Sequence, residues 1–288
     1  MPLAHTPFRP RPTVELLRTA PISVEEAARG LAAALAGDGG NGAEHRYELP
    51  GSTLVNFRQV PGIAESLQTD WVALPGAERP AECFVEVRGR LETHMHPCFL
   101  GEKLALGLRG AAGTLLLRFC AGLRCVPLGF TRLVPAGSHG AVVAESPYVH
   151  FLADFSAVGF VPKEGQWLVG RISEQQTRQG VNILILNCFN MFVRKKNLPS
   201  ELRFDQDKDS WVYGERAQKL KAKRGPVWVQ VTASVLDSSG PVPSLFGLLH
   251  WPPWTLPEPG AETARNGAAA PGAPREPQAA EAKGPRAK

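Results

Sequence analysis

Residues 181–186, Val-Asn-Ile-Leu-Ile-Leu, form a strongly apolar run. They lead through Asn187-Cys188-Phe189-Asn190-Met191-Phe192-Val193 into the basic stretch Arg194-Lys195-Lys196-Asn197-Leu198-Pro199. An apolar run bounded by turn chemistry reads as a buried strand. The pattern predicts one long bent strand over 180–193 that turns a Phe-Asn corner and ends in a cationic loop closed by Pro199. A strand of this kind is how a small closed barrel presents a nucleic-acid-facing surface.

The flanking sequence extends the same reading. Val227, Val229, Val231, Ala233 and Val235 alternate with Trp228, Gln230, Thr232 and Ser234. Period-two alternation places the first set inward and the second outward on one strand. Trp167–Ile172 and Leu245–Leu249 supply further short apolar segments. Residues 161–251 therefore predict an all-β Greek-key barrel of the OB type.

Upstream, the expectation is α+β. Cys83, Val85, Val87, Gly89 and Leu91 point one way and Phe84, Glu86, Arg88 and Arg90 the other, a half-buried strand that stops before Pro97. A helical stretch is expected over 99–119, with Leu104, Leu108, Leu115 and Phe119 inward, although Gly107, Gly110 and Gly113 each weaken a helix by about 1 kcal/mol relative to Ala. Strands are expected over 123–134 and 141–158. Strand, helix and strands make a compact unit over 81–160.

The ends read differently. Residues 1–80 are expected to form a peripheral N-terminal extension. Within it, Ser23 and Glu26 fit a capping box, and Val24, Ala27, Ala28, Leu31, Ala32 and Leu35 share one face of a helix over 24–36. Pro50, Pro61, Pro75 and Pro80 leave 46–80 without an assignment. From Pro252 onward the chain is Pro, Ala, Gly, Glu and Lys with hardly a large apolar side chain, so 252–288 is expected to be a disordered tail.

Composition narrows the function class. No run approaches the roughly 18 apolar residues of a membrane span, and the first residues lack a secretory core. Five cysteines form an odd set with no C-x-x-C pair, which predicts reduced thiols and a nuclear or cytosolic protein. Residues 161–250 hold 13 Lys+Arg against 8 Asp+Glu, so the formal excess of five charges sits entirely in that segment. Such localisation is the electrostatic footprint of a polyanion partner, and a solvated barrel surface would also produce it.

Several stretches resemble the stalk subunit family of multisubunit RNA polymerases, and most closely its polymerase I branch. Phe99-Leu100-Gly101, with the helical stretch to Phe119, is similar to the helix after the family's first strand. Val126-Pro127-Leu128-Gly129-Phe130 resembles its Val-Leu-Gly-aromatic strand. Ser146-Pro147-Tyr148-Val149-His150 and Val161–Gly170 resemble the join between the family's two domains. Cys188-Phe189-Asn190 with Arg194–Pro199 is similar to the family's Phe-Asn-Ala corner, with Met191-Phe192 replacing small residues and Asn187 standing where other members often have Gly. The likeness runs over 81–250. It implies a ribonucleoprotein-like anchor (tip) domain over 81–160, followed by the OB-type barrel. It further implies a non-catalytic subunit of a DNA-directed RNA polymerase, located in the nucleus and nucleolus. Its partners would be polymerase core subunits, a smaller stalk subunit, the polymerase I initiation factor and nascent RNA. The alternatives are the stalk subunit of another nuclear polymerase, or a free-standing OB-barrel RNA-binding protein.

Arg194, Lys195, Lys196, Lys219, Lys221, Lys223 and Arg224 are the nucleic-acid-binding candidates, because cationic loops at a barrel rim can track phosphates. A solvated loop or an import signal is the plain alternative. Trp228 and Tyr213 could stack bases, although a Trp on a strand more often packs. His94, His96 and Cys98 have ligand-like spacing without an evident fourth ligand, so no metal is expected there. Cys188 has no neighbouring base that would make it a nucleophile. No catalytic set and no cofactor are expected.

Overall fold

The alternation over 83–91 runs on to Met95 and stops short of Pro97, and this strand anchors one of two sheet systems. The computed structural model describes residues 12–36, 51–73, 83–144, 146–214, 218–220, 225–235 and 244–250.

The N-terminal elements are β1 (Thr13–Pro21), α1 (Val24–Ala36), α2 (Gly51–Ala73), β2 (Phe84–Met95), α3 (Leu104–Gly113), β3 (Val126–Pro135), β4 (Ala141–Val142) and β5 (Val149–Phe160). Their sheet runs β1-β2-β5-β3, with β4 also on β5, and every pairing is antiparallel. Val87, Gly89, Leu91, Thr93 and Met95 of β2 are buried, whereas Glu86, Arg88, Arg90, Glu92 and His94 lie on the more open face.

Three expectations change here. Residues 13–36 and 51–73, expected as a peripheral extension, are built into the sheet and its core: β1 pairs with β2 along its length, and Val24, Ala27, Ala28, Leu31, Val60, Ile63, Leu67 and Trp71 join the buried core. The unassigned stretch holds α2, whose buried residues 60, 63, 64, 67 and 71 keep helical spacing despite Pro61, which forgoes only one backbone hydrogen bond. The helix expected over 99–119 is shorter, since two 3-10 turns precede Leu104 and the chain leaves the helix after Gly113. The helix over 24–36 forms as its cap dictates: the Ser23 N–H donates to Glu26 Oε2 at 2.8 Å and the Glu26 N–H to Ser23 Oγ at 3.1 Å.

The second system contains β6 (Trp167–Thr177), β7 (Gly180–Ile185), β8 (Phe189–Arg194), β9 (Leu202–Asp205), β10 (Ser210–Tyr213), β11 (Gln218–Lys219), β12 (Val227–Val235) and β13 (Ser244–Leu249). Strands β6, β7, β8, β13 and β12 close into a barrel in that circular order. The β8–β13 pair is parallel and the other four are antiparallel. Strands β9, β10 and β11 form a small sheet between β8 and β12. The molecule is thus mostly β, with a shut five-stranded barrel.

The predicted single strand over 180–193 is a hairpin. The Cys188 N–H donates to the Ile185 carbonyl at 3.1 Å, and the residues between, Leu186 and Asn187, have φ of 53° and 55°. Two positive φ values make a type I′ turn, the hand that matches strand twist. Leu186 tolerates this conformation because it is fully buried, and Asn187 because Asn visits the left-handed region readily.

The barrel is bolted to α2 and β5. The Asn187 side-chain amide donates to the Gly62 carbonyl at 3.1 Å. Arg171 Nε of β6 donates to both oxygens of the buried Asp70 at 2.9 Å, and Ser66 Oγ donates to the same carboxylate at 3.0 Å. Phe160 stacks on Phe189 with ring centroids 5.3 Å apart. These contacts fix how the barrel rim is presented. The expected tail lies outside the described residues, and among those described no helix is long and apolar enough to cross a membrane.

Candidate nucleic-acid interface

The rim is built where two turns meet. Strands β6 and β7 are joined by Arg178 and Gln179 alone, with Thr177 paired to Gly180. A Cβ at Gly180 would overlap the Val193 carbonyl oxygen and sit 2.8 Å from the Phe192 ring, so this tight approach of β7 to β8 requires glycine. Beyond Arg194 the chain enters a 3-10 turn, Lys195–Asn197. The Lys195 N–H donates to the Gln179 carbonyl at 2.7 Å, joining the two turns directly. Asn197 Nδ2 donates to the Gly247 carbonyl at 3.2 Å and ties the loop to β13.

The result is a shallow depression of about 490 Å³ lined by Arg178, Gln179, Phe192, Arg194, Lys195 and Lys196. All four cations are exposed, and none makes an ion pair with a described residue. Arg194 is held in place because its guanidinium lies 5.0 Å from the centroid of the Phe246 ring. Four positive charges around one concave patch, beside a half-buried aromatic, can take a phosphate backbone and one stacked base.

Of the residues singled out from sequence, Arg194, Lys195 and Lys196 converge here. Lys219 lies on β11, and its Nζ donates to the Lys208 carbonyl at 3.2 Å. Its sheet adjoins the β6–β7 turn, since Trp211 Nε1 donates to the Thr177 carbonyl at 2.9 Å. Lys221, Lys223 and Arg224 lie outside the described residues. Trp228 is corrected: it is 4% exposed, and its register opposite Val169 places the indole in the buried cluster rather than at the surface. No base can stack on it. Tyr213 is half-buried and packs against the edge of the core.

Arg178 and Phe192 were not read as site residues. The outward side of β8 carries Asn190, Phe192 and Arg194 by simple alternation, so Phe192 was legible. Arg178 was legible only as a basic residue between two apolar segments.

His94, His96 and Cys98 do not converge as a trio. His96 Nδ1 accepts from the Cys98 N–H at 3.2 Å, and His94 packs instead against His150. Cys188 is a poor nucleophile, because burial pushes its thiol up to about 12.

Fold and rim together define a β-barrel protein with a cationic edge, carried on an antiparallel sheet with helices. The chain is 30% identical over 162 residues to DNA-directed RNA polymerase I subunit RPA43 of Danio rerio. That match covers 56% of this chain and 38% of the relative, so the chain spans well under half the length of the curated protein it matches. No protein-family model matches. The similarity to an RNA polymerase I subunit agrees with the polymerase resemblance read from the Phe-Asn corner and the domain join.

Proposed function

We propose that the chain is a non-catalytic stalk subunit of RNA polymerase I. The observation that carries this reading is the similarity to a polymerase I subunit over 162 residues. The barrel circuit supports it. Strands one, two, three, five and four in ring order, with a lone parallel pair between the third and fifth, suit the OB type of barrel that binds nucleic acids. In this proposal the sheet with its helices acts as a ribonucleoprotein-like anchor on the polymerase core. The rim formed by Arg178, Arg194, Lys195 and Lys196 faces nascent RNA, aided by Lys219, Lys221, Lys223 and Arg224. The polymerase I initiation factor and a smaller stalk subunit bind elsewhere on the chain, and the site of action is the nucleus and nucleolus.

Two measurements test it. Tagged full-length chain should copurify stoichiometrically with the large catalytic polymerase I subunits at moderate salt, whereas recovery with RNA but without those subunits would mark a free RNA binder. Replacing Arg178, Arg194, Lys195 and Lys196 by Glu should weaken single-stranded RNA binding and flatten its salt dependence. With about 0.7 counterions released per phosphate contact, the slope of log K against log salt should fall by roughly 3. Unchanged affinity and slope would remove the rim from the mechanism.

A further inference from the structure

The open face of the N-terminal sheet carries a second cluster, unconnected with the rim. His94 on β2 and His150 on β5 are direct cross-strand partners, with ring centroids 4.0 Å apart. Glu92 is two residues before His94 on the same strand and therefore on the same face. One ring nitrogen from each histidine and a Glu92 carboxylate oxygen all lie within 4.8 Å of one another. Nδ1 of His94 is shielded from solvent and has no hydrogen-bond partner among the described residues. A shielded imidazole nitrogen without a partner is costly. Arg90, two residues before Glu92 on the same face, is engaged with Asp154 at 3.1 Å.

We propose that Glu92, His94 and His150 form a binding site for a divalent transition metal, with Zn²⁺ the best fit. Two imidazoles and one carboxylate are an established zinc donor set that leaves a fourth position for water or an outside ligand. Tetrahedral Zn²⁺ with bonds of about 2.0–2.1 Å needs donors roughly 3.3 Å apart, so modest side-chain rotation closes the set. The strands supply the spacing: an i, i+2 pair on β2 and the residue directly across on β5. Metal binding needs neutral imidazole. An ion here would clamp β2 to β5 beside the β4 edge, where Ala141 pairs with His150.

The test uses full-length protein stripped with chelator and titrated with Co²⁺, then Zn²⁺. One equivalent of Co²⁺ should give visible d–d bands of a four-coordinate nitrogen and oxygen site, without the near-ultraviolet charge-transfer band of a thiolate ligand. Zn²⁺ should displace it and raise the melting temperature. Glu92→Gln, an exposed substitution that leaves the strand intact, should weaken binding roughly tenfold or more, and His94→Gln with His150→Gln should abolish it. No binding by the wild-type chain overturns the proposal. So does a thiolate band, or binding that survives Glu92→Gln unchanged.

Discussion

Replacing Arg171 by Met interrogates the joint between barrel and helix α2. The Asp70 side chain is 3% exposed and that of Arg171 48% exposed. Arg171 Nε lies 2.9 Å from both carboxylate oxygens, with Ser66 Oγ at 3.0 Å as a further donor, while the single Thr69 hydroxyl proton goes to the Glu65 carbonyl at 2.9 Å. Removing the guanidinium leaves a buried carboxylate served by one hydroxyl, that of Ser66. Breaking a fully buried pair costs about 3–5 kcal/mol, and solvent access to the arginine side reduces this to roughly 2–3 kcal/mol. For a chain of this size the melting temperature should fall by roughly 4–12 °C. Thermal and urea unfolding of full-length protein measure it. Asp70→Asn added to Arg171→Met should recover about 1 kcal/mol or more, because the stranded charge disappears while the Ser66 hydroxyl keeps a partner. A single variant within roughly 0.5 kcal/mol of wild type, or a double variant no better than the single, would refute the reasoning.

Asn187→Ala should destabilise by about 1–2 kcal/mol in chemical denaturation, because it loses the bond to the Gly62 carbonyl and strains a positive φ; Asn187→Gly, which keeps the turn, should recover part of that. Burial pushes the Cys125 and Cys188 thiols up to about 12, and the Cys83 thiol higher still. Unfolded thiols ionise near about 8.5, so the contribution of these groups is complete below that pH and is lost as pH rises toward the folded values. Unfolding free energy should therefore decline between about pH 8.5 and 12, and iodoacetamide at pH 8 should modify the exposed Cys98 far faster than Cys188. Equal labelling rates in native protein would contradict the burial argument.

Local pattern was enough wherever one turn or one strand carried its own signal. The Ser23–Glu26 box and its stripe defined α1, and the alternation over 227–235 defined β12. Even there tertiary packing intervened: alternation assigned Trp228 to solvent, but both sides of the strand are covered at that position. Helix α2 stayed hidden because Pro61 outweighed a clear apolar spacing, and β1 because an edge strand with little burial has no strong alternation. The turn at Leu186-Asn187 has no Gly or Pro to announce it; its left-handed backbone is held by burial and by α2.

The amino-acid order by itself determined that the second half would be β-rich, that its excess charge would be positive and that Arg194–Lys196 would follow an apolar strand. Those are properties of neighbours along the chain. Only the tertiary structure closed the five strands, brought Arg178 beside Lys195, buried Trp228 and set His150 against Glu92 and His94. Each of these depends on pairing between segments distant in sequence, whose register follows from which faces can be buried together.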